Sequence, residues 1–466
     1  MVFNSIEFLI FICIFLPLFY ICSTKEKLRD GLLLSGSYLF YMAWYWQYAG
    51  LIVLSTLVDH FVGREMDKQG ASNKKRKALL ILSLIVNLGV LAIFKYYNFF
   101  YEASQTGLSI LGIDIPDAFH QLLLPVGISF YTFQTLSYTI DLYRKNIKHE
   151  QSLLKFAVFV SFFPQLVAGP IVRAKDFLPQ LHCKTTLSTE QFNTGLWMVF
   201  LGLFKKIIVA DLLAYLIVDS AFENPTAYSS TDLLISLYAY SFQIYCDFSG
   251  YTDIAIGIAL MMGFHLPINF NRPYISQSPS EFWKRWHISL SSWLRDYLYI
   301  SLGGNRGKSL FTSRNLMITM LLGGLWHGAA WNFILWGLFH GLILILTKNV
   351  VIENSFNYRM LLKIFINFHL IVFSWLLFRV SDMGVFVDYV SGLTSLTYGT
   401  QFSLLSYFIL SIIAVAHFVP KSLIHDTIKN LMLNRSSLTL ASIYACLLFL
   451  FAGTSINTSA FIYFRF

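Results

Sequence analysis

The chain has 466 residues, 56% of them hydrophobic and only 13% charged, against about 25% charged residues in an ordinary soluble domain; a water-soluble core cannot account for that balance. The net charge of +9 is spread over short polar loops, with no basic arm and no basic stripe interleaved with stacking aromatics, which argues against a nucleic-acid partner. Cys13, Cys22, Cys183, Cys246 and Cys446 lack CxxC spacing and point to neither a disulfide framework nor a metal site.

Several apolar runs reach the roughly 20 residues that a helix needs to cross a bilayer core of about 30 Å. They do not alternate as barrel strands do, so helices are the form that satisfies their backbone in lipid. The first, Ile6 to Cys22, has no preceding basic residue and no small-x-small cleavage site, and reads as a retained span. Lys25, Lys27 and Arg29 after it mark the cytoplasm by the positive-inside rule. Spans near 31–47 and 49–64 lead to the basic loop Lys74–Lys77, again inside. A span near 79–100 enters a stretch that carries Glu102, Asp114 and Asp117 but no Lys or Arg, which reads as external. The span near 123–142 returns to Arg144, Lys145 and Lys148.

The alternation then breaks at FAVFVSFFPQLVAGPIVR, where Lys155 precedes and Arg173 and Lys175 follow. Both ends look cytoplasmic, so a re-entrant hairpin is preferred over a short kinked span. Such a hairpin is tolerated only where its backbone is buried in protein or lines a polar cavity. A helix near 189–222, an external turn and an apolar run from about 232 follow. Asn269–Arg314 is the longest polar stretch and carries seven Lys and Arg residues, so it is cytoplasmic. Runs near 315–330, 331–347, 361–378, 403–419 and 437–453 complete one membrane domain, residues 1–466, of roughly ten to twelve helices.

Four features exceed what composition explains. In SEFWKRWHISLSSWLRDYLYISL, Trp283, Trp286, Leu290, Trp293, Tyr297 and Ile300 recur at three- and four-residue steps, as on one face of an interfacial helix; His287 lies within it. His327 sits inside an apolar run, roughly 20 Å from Arg314 at 1.5 Å per helical residue, a depth at which ionisable groups face a cavity and mark function. Its glycine and alanine neighbours suit either close helix packing or a substrate beside the imidazole. Asp247, Ser249 and Asp253 in YCDFSGYTD read either as tunnel wall or as a helix break in which Asp247 pairs with a basic partner. His340 on the next helix reads either as a residue that supports the site from behind or as a plain interhelical hydrogen bond, and the latter is preferred.

These residues stand in YCDFSGYTDIAIGIALMMGFHLPINFNRPYISQSPSEFWKRWHISLSSWLRDYLYISLGGNR and LGGLWHGAAWNFILWGLFHG. Both runs closely resemble the bacterial branch of the membrane-bound O-acyltransferase family. The N-terminal MVFNSIEFLIFICIFLP, the FFPQLVAGPIVR segment and the closing FIYFRF resemble its alginate and peptidoglycan O-acetylation members, and the likeness covers essentially the whole chain.

The resemblance implies an all-α polytopic fold: a ring of transmembrane helices with re-entrant and interfacial helices around a tunnel, in the bacterial cytoplasmic membrane. It implies His327 of WHGAAW as the catalytic histidine and His287 of RWHISL as the second. Asp247, Ser249, Asp253, Trp326 and Asn332 are candidates for the tunnel wall or substrate site. The expected reaction moves acetyl from a cytoplasmic thioester such as acetyl-CoA, used as a substrate with no bound cofactor, toward an extracytoplasmic polysaccharide through a separate acetyltransferase partner. D-alanyl transfer toward teichoic acid, a non-enzymatic transporter or channel, and a structural scaffold are the alternatives.

Overall fold

The computed structural model describes residues 1–112, 122–186, 188–380, 382–420, 422–423, 427, 437–454 and 461–462. Every regular element among them is helical, as the composition and the unbroken apolar runs required. Asn73–Ile110 and Tyr358–Arg379 are long and apolar enough to cross a membrane, and Ile6–Cys22, Trp331–Leu346 and Leu404–Phe418 are shorter apolar helices. Asp114 and Asp117, expected outside, lie beyond the described residues, as do the last four residues of FIYFRF.

The chain divides into two compact units. In the first, which holds Met1–Ser188 with Met262–Pro267 and Gly328–Ala330, serine side chains fix helix starts by accepting otherwise orphaned backbone N–H groups. Ser72 Oγ takes the Lys75 amide at 3.2 Å, and Ser152 Oγ takes that of Lys155 at 3.3 Å. The FFPQLVAGP segment breaks as its prolines and glycine demand: helix Leu153–Ser161 stops, Phe163–Leu166 makes one short turn, and an irregular strand of chain follows. Phe162, Ala168 and Val172 are all buried, so this irregular backbone has the protein burial that a hairpin requires. Asp59, unremarked in the sequence, is buried with Ser83 Oγ and Asn87 Nδ2 donating at 2.5 and 2.9 Å.

The second unit holds Thr189–Met261, Ile268–His327 and Trp331–Phe466. Helix Thr189–Leu203 continues through π-helical turns at Phe204–Ala210 and Ala214–Val218 and packs along Ser230–Met261. The approach depends on glycine: a Cβ on Gly202 would lie 2.5 Å from the Gly250 carbonyl oxygen, and one on Gly195 at the same distance from that of Gly257. Ser309–His327 and Trp331–Leu346 form a second tight pair, in which a Cβ on Gly324 would meet the Phe333 carbonyl at 2.3 Å. Small residues at such crossings let backbones meet where lipid supplies no hydrophobic drive.

Two expectations need correction. The 281–300 segment is not one helix: Pro279–Trp283 ends, His287 adopts φ 42°, and Ile288–Trp293 restarts before a π turn at Leu294–Tyr299. Its apolar face survives in part, since Trp286, Leu290, Trp293 and Tyr297 are buried while Ile300 is exposed. Ser230–Met261 runs without the break considered at Ser249 and Gly250, because Gly250 serves helix contact and not a turn.

Candidate active site

His327 is the last residue of Ser309–His327. The negative end of the helix dipole there favours positive charge. Its imidazole is 4% exposed and stands nearly perpendicular to three rings: Trp326 at 5.0 Å and 84°, Trp336 at 5.1 Å and 83°, and Phe378 at 5.3 Å and 75° between centroids. Such edge-to-face contacts fix orientation, and aromatic faces tolerate a neighbouring cation. The surroundings therefore suit an imidazole that must hold one pose while it gains a proton.

His287 is completely buried. Asn269 sets the backbone around it: its carbonyl accepts from Ile288 N at 2.9 Å, and its Oδ1 accepts from Ser289 N and Oγ at 3.1 and 2.9 Å. The left-handed conformation at His287 is rare for a side-chain-bearing residue and is held at a cost that marks functional positions. Phe248 stands against the ring at 4.7 Å and 82°, and Trp326 at 5.8 Å and 72°. Trp326 thus touches both histidines.

Asp247 has the basic partner that the sequence left open. Lys206 Nζ lies 2.7 Å from Asp247 Oδ1 and 2.8 Å from Asp211 Oδ1, and Ile462 N donates to Asp247 Oδ2 at 2.8 Å. Asp253 pairs instead with Lys205 at 2.6 Å, and no described contact joins it to either histidine. Ser249 is buried, and its Oγ has no hydrogen-bond partner among the described residues. Asn332 donates to the Val380 carbonyl at 3.1 Å, a link between helix ends. His340 makes the interhelical bond expected of it, Nε2 to Ser374 Oγ at 3.1 Å.

The structure thus brings together His287, Trp326 and His327, with Asp247 one residue from the Phe248 that packs on His287. Sequence reasoning missed Lys206, Phe248, Trp336 and Phe378. Adjacent lysines inside the apolar run LGLFKKIIVADLL were an available signal, because buried lysines demand partners. The aromatics gave none, being indistinguishable in sequence from ordinary core.

A helical membrane fold that buries the histidines of WHGAAW and RWHISL against one tryptophan defines a class: this chain belongs to the MBOAT, membrane-bound O-acyltransferase, family, whose sequence profile matches residues 128–381. It is an O-acyltransferase of the branch that contains the alginate and peptidoglycan enzymes. The chain is 44% identical to "Probable alginate O-acetylase AlgI" of Pseudomonas aeruginosa over 388 residues, 83% of this chain and 73% of that protein. It is 37% identical to the peptidoglycan O-acetyltransferase of Helicobacter pylori over 393 residues, 78% and 73% of the two chains. Identity to the teichoic acid D-alanyltransferase of Bacillus subtilis is 30% over 279 residues, 56% and 69%. Family membership replaces the transporter, channel and scaffold alternatives.

Proposed function

We propose that this enzyme moves an acetyl group from cytoplasmic acetyl-CoA toward an extracytoplasmic polysaccharide, as one multi-pass catalytic domain in the bacterial cytoplasmic membrane, with a separate acetyltransferase receiving the group outside. The observation that carries the chemistry is the buried His327, fixed by three rings at the end of its helix. In this reading His327 removes the proton from the incoming hydroxyl as the hydroxyl oxygen bonds to the thioester carbonyl carbon. The C–S bond then breaks, and the proton held on His327 passes to the departing thiolate. General base catalysis needs such a group near neutral pKa and within reach of the hydroxyl. His287 orients the thioester on the donor side, and Trp326, which touches both histidines, lines the path between them. Asp247 and Ser249 form the adjoining wall, with Lys206 holding Asp247 in place. Asp253 and Asn332 keep wall positions through their bonds to Lys205 and Val380.

Acetyl is favoured as cargo and a polysaccharide such as alginate or peptidoglycan as destination, because the longer and stronger matches are to proteins named for O-acetylation of those polymers. The shorter match to a D-alanyltransferase supports the second reading. Purified protein in lipid, given radiolabelled acetyl-CoA in one arm and a D-alanyl carrier protein in the other, should transfer label only from acetyl-CoA. Transfer only from the carrier protein would reverse the assignment.

A further inference from the structure

Beside His327, Trp336 Nε1 and His340 Nδ1 are buried in touching rings with no hydrogen-bond partner among the described residues, and so is Trp283 Nε1, a second N–H donor on a ring 5.1 Å from that of His340. The Trp336 side chain is 1% exposed, and its Nε1–H finds no acceptor among the described residues. His340 is completely buried, its ring centroid 4.5 Å from that of Trp336. The tautomer of His340 follows from its neighbour. Ser374 Oγ donates its hydrogen to the Ile371 carbonyl at 2.7 Å, so toward His340 it can only accept, and the imidazole hydrogen lies on Nε2. His340 Nδ1 is therefore a bare acceptor, and it has no donor among the described residues.

A bare donor and a bare acceptor on contacting rings are complemented by one chemical group that both accepts and donates, a hydroxyl. Carbonyls and thioesters only accept, so they would leave Nδ1 unsatisfied; a carboxylate would do the same and bring an unpaired charge. Buried polar groups are overwhelmingly paired, so a donor and acceptor left open together point to a ligand. Trp336 also stands 5.1 Å from His327, centroid to centroid.

We propose that Trp336 Nε1–H and His340 Nδ1 form a hydroxyl-binding site next to His327, filled by the alcohol of the acyl acceptor or by a held water. The first source rests on the acyl-transfer reading above and makes the pair the element that presents the acceptor hydroxyl to its base.

The test pairs density with two conservative variants. Cryo-electron microscopy of the wild-type protein in lipid nanodiscs, at a resolution that shows waters, is run with and without glycerol, a soluble probe for the acceptor hydroxyl. Oxygen density within hydrogen-bond reach of both nitrogens is expected. Density in both samples identifies a held water, and density only with glycerol identifies an alcohol site. Trp336→Phe keeps a flat ring and deletes the donor, while His340→Gln keeps the bond to Ser374 through its amide N–H and takes the acceptor out of the Nδ1 position. Each should remove the density and lower cellular glycan O-acetylation about ten-fold at matched membrane levels, the scale of one hydrogen bond to a reacting group. Absence of density in both wild-type samples, or its persistence in both variants, overturns the site. Activity retained by His327→Gln would sink the base assignment and leave the density result standing.

Discussion

Lys206 and Asp247 meet at 2.7 Å with their side chains 8% and 2% exposed, joining the π turn after Leu203 to the middle of the Ser230–Met261 helix. π turns recur at functional sites, and this one aims a lysine between two carboxylates. Removing one member of a buried pair strands the other, at about 3–5 kcal/mol. Lys206→Met should therefore lower the thermal stability of the purified protein sharply, whereas Lys206→Met combined with Asp247→Asn should recover part of the loss. A single variant as stable as wild type would contradict the structural weight given to the pair.

The glycine crossing is a second determinant of the same region. Because a Cβ on Gly250 would lie 2.7 Å from the Gly202 carbonyl, Gly250→Val should force the helices apart and cost about 1–3 kcal/mol, as overpacking does. Activity should fall further than stability, since Asp247 and Phe248 are displaced with the helix. Gly31→Val, at a position with nothing within 4 Å of its added Cβ, is the control and should be mild.

Replacement of His327 tests the chemistry. His327→Ala should insert and fold yet lose glycan O-acylation by about a hundred- to ten-thousand-fold, the usual contribution of a general base. His327→Gln keeps much of the size and some hydrogen bonding but cannot take a proton at neutral pH, so it should be equally inactive. The readout is O-acetyl content of exported glycan in cells lacking the native gene, at equal membrane levels. Near-normal acetylation by His327→Gln would remove His327 from the role of base.

The apolar face near His287 predicts opposite responses from neighbouring positions. Trp293 is 7% exposed, and losing a buried tryptophan costs about 3–5 kcal/mol before the added carboxylate is counted. Trp293→Glu should therefore abolish stable expression. Arg295, its side chain 62% exposed and paired among the described residues with adjacent Asp296, should tolerate Glu within about 0.5 kcal/mol of stability. Fluorescence-detected size exclusion of both variants gives the comparison.

Orientation in the membrane is checked by labelling. In a background with the five cysteines replaced, Glu102→Cys should react with an impermeant maleimide added to whole cells, and Lys75→Cys should react only after permeabilisation. Reaction of both in intact cells would contradict the positive-inside assignment.

The sequence by itself determined the helical membrane class and the approximate limits of most helices, and it singled out two histidines as candidates. Long apolar runs, basic loops and a histidine deep in such a run are local facts, each with one inexpensive physical solution. His340 was legible as an interhelical bond for the same reason: a polar group in an apolar helix needs a partner across it. The tertiary structure alone decided what those residues face. The turn at His287 depends on the Asn269 side chain and carbonyl, about twenty residues away, holding the chain after it, so periodicity read through the break and continued the helix. The Lys206 partner of Asp247, the rings around His327 and the bare nitrogens of Trp336 and His340 are likewise products of helix crossing. Spacing in sequence carries the face of a helix but not the identity of the atoms it meets, and the glycines that set those crossings read equally well as breaks until the packing assigns them to contact.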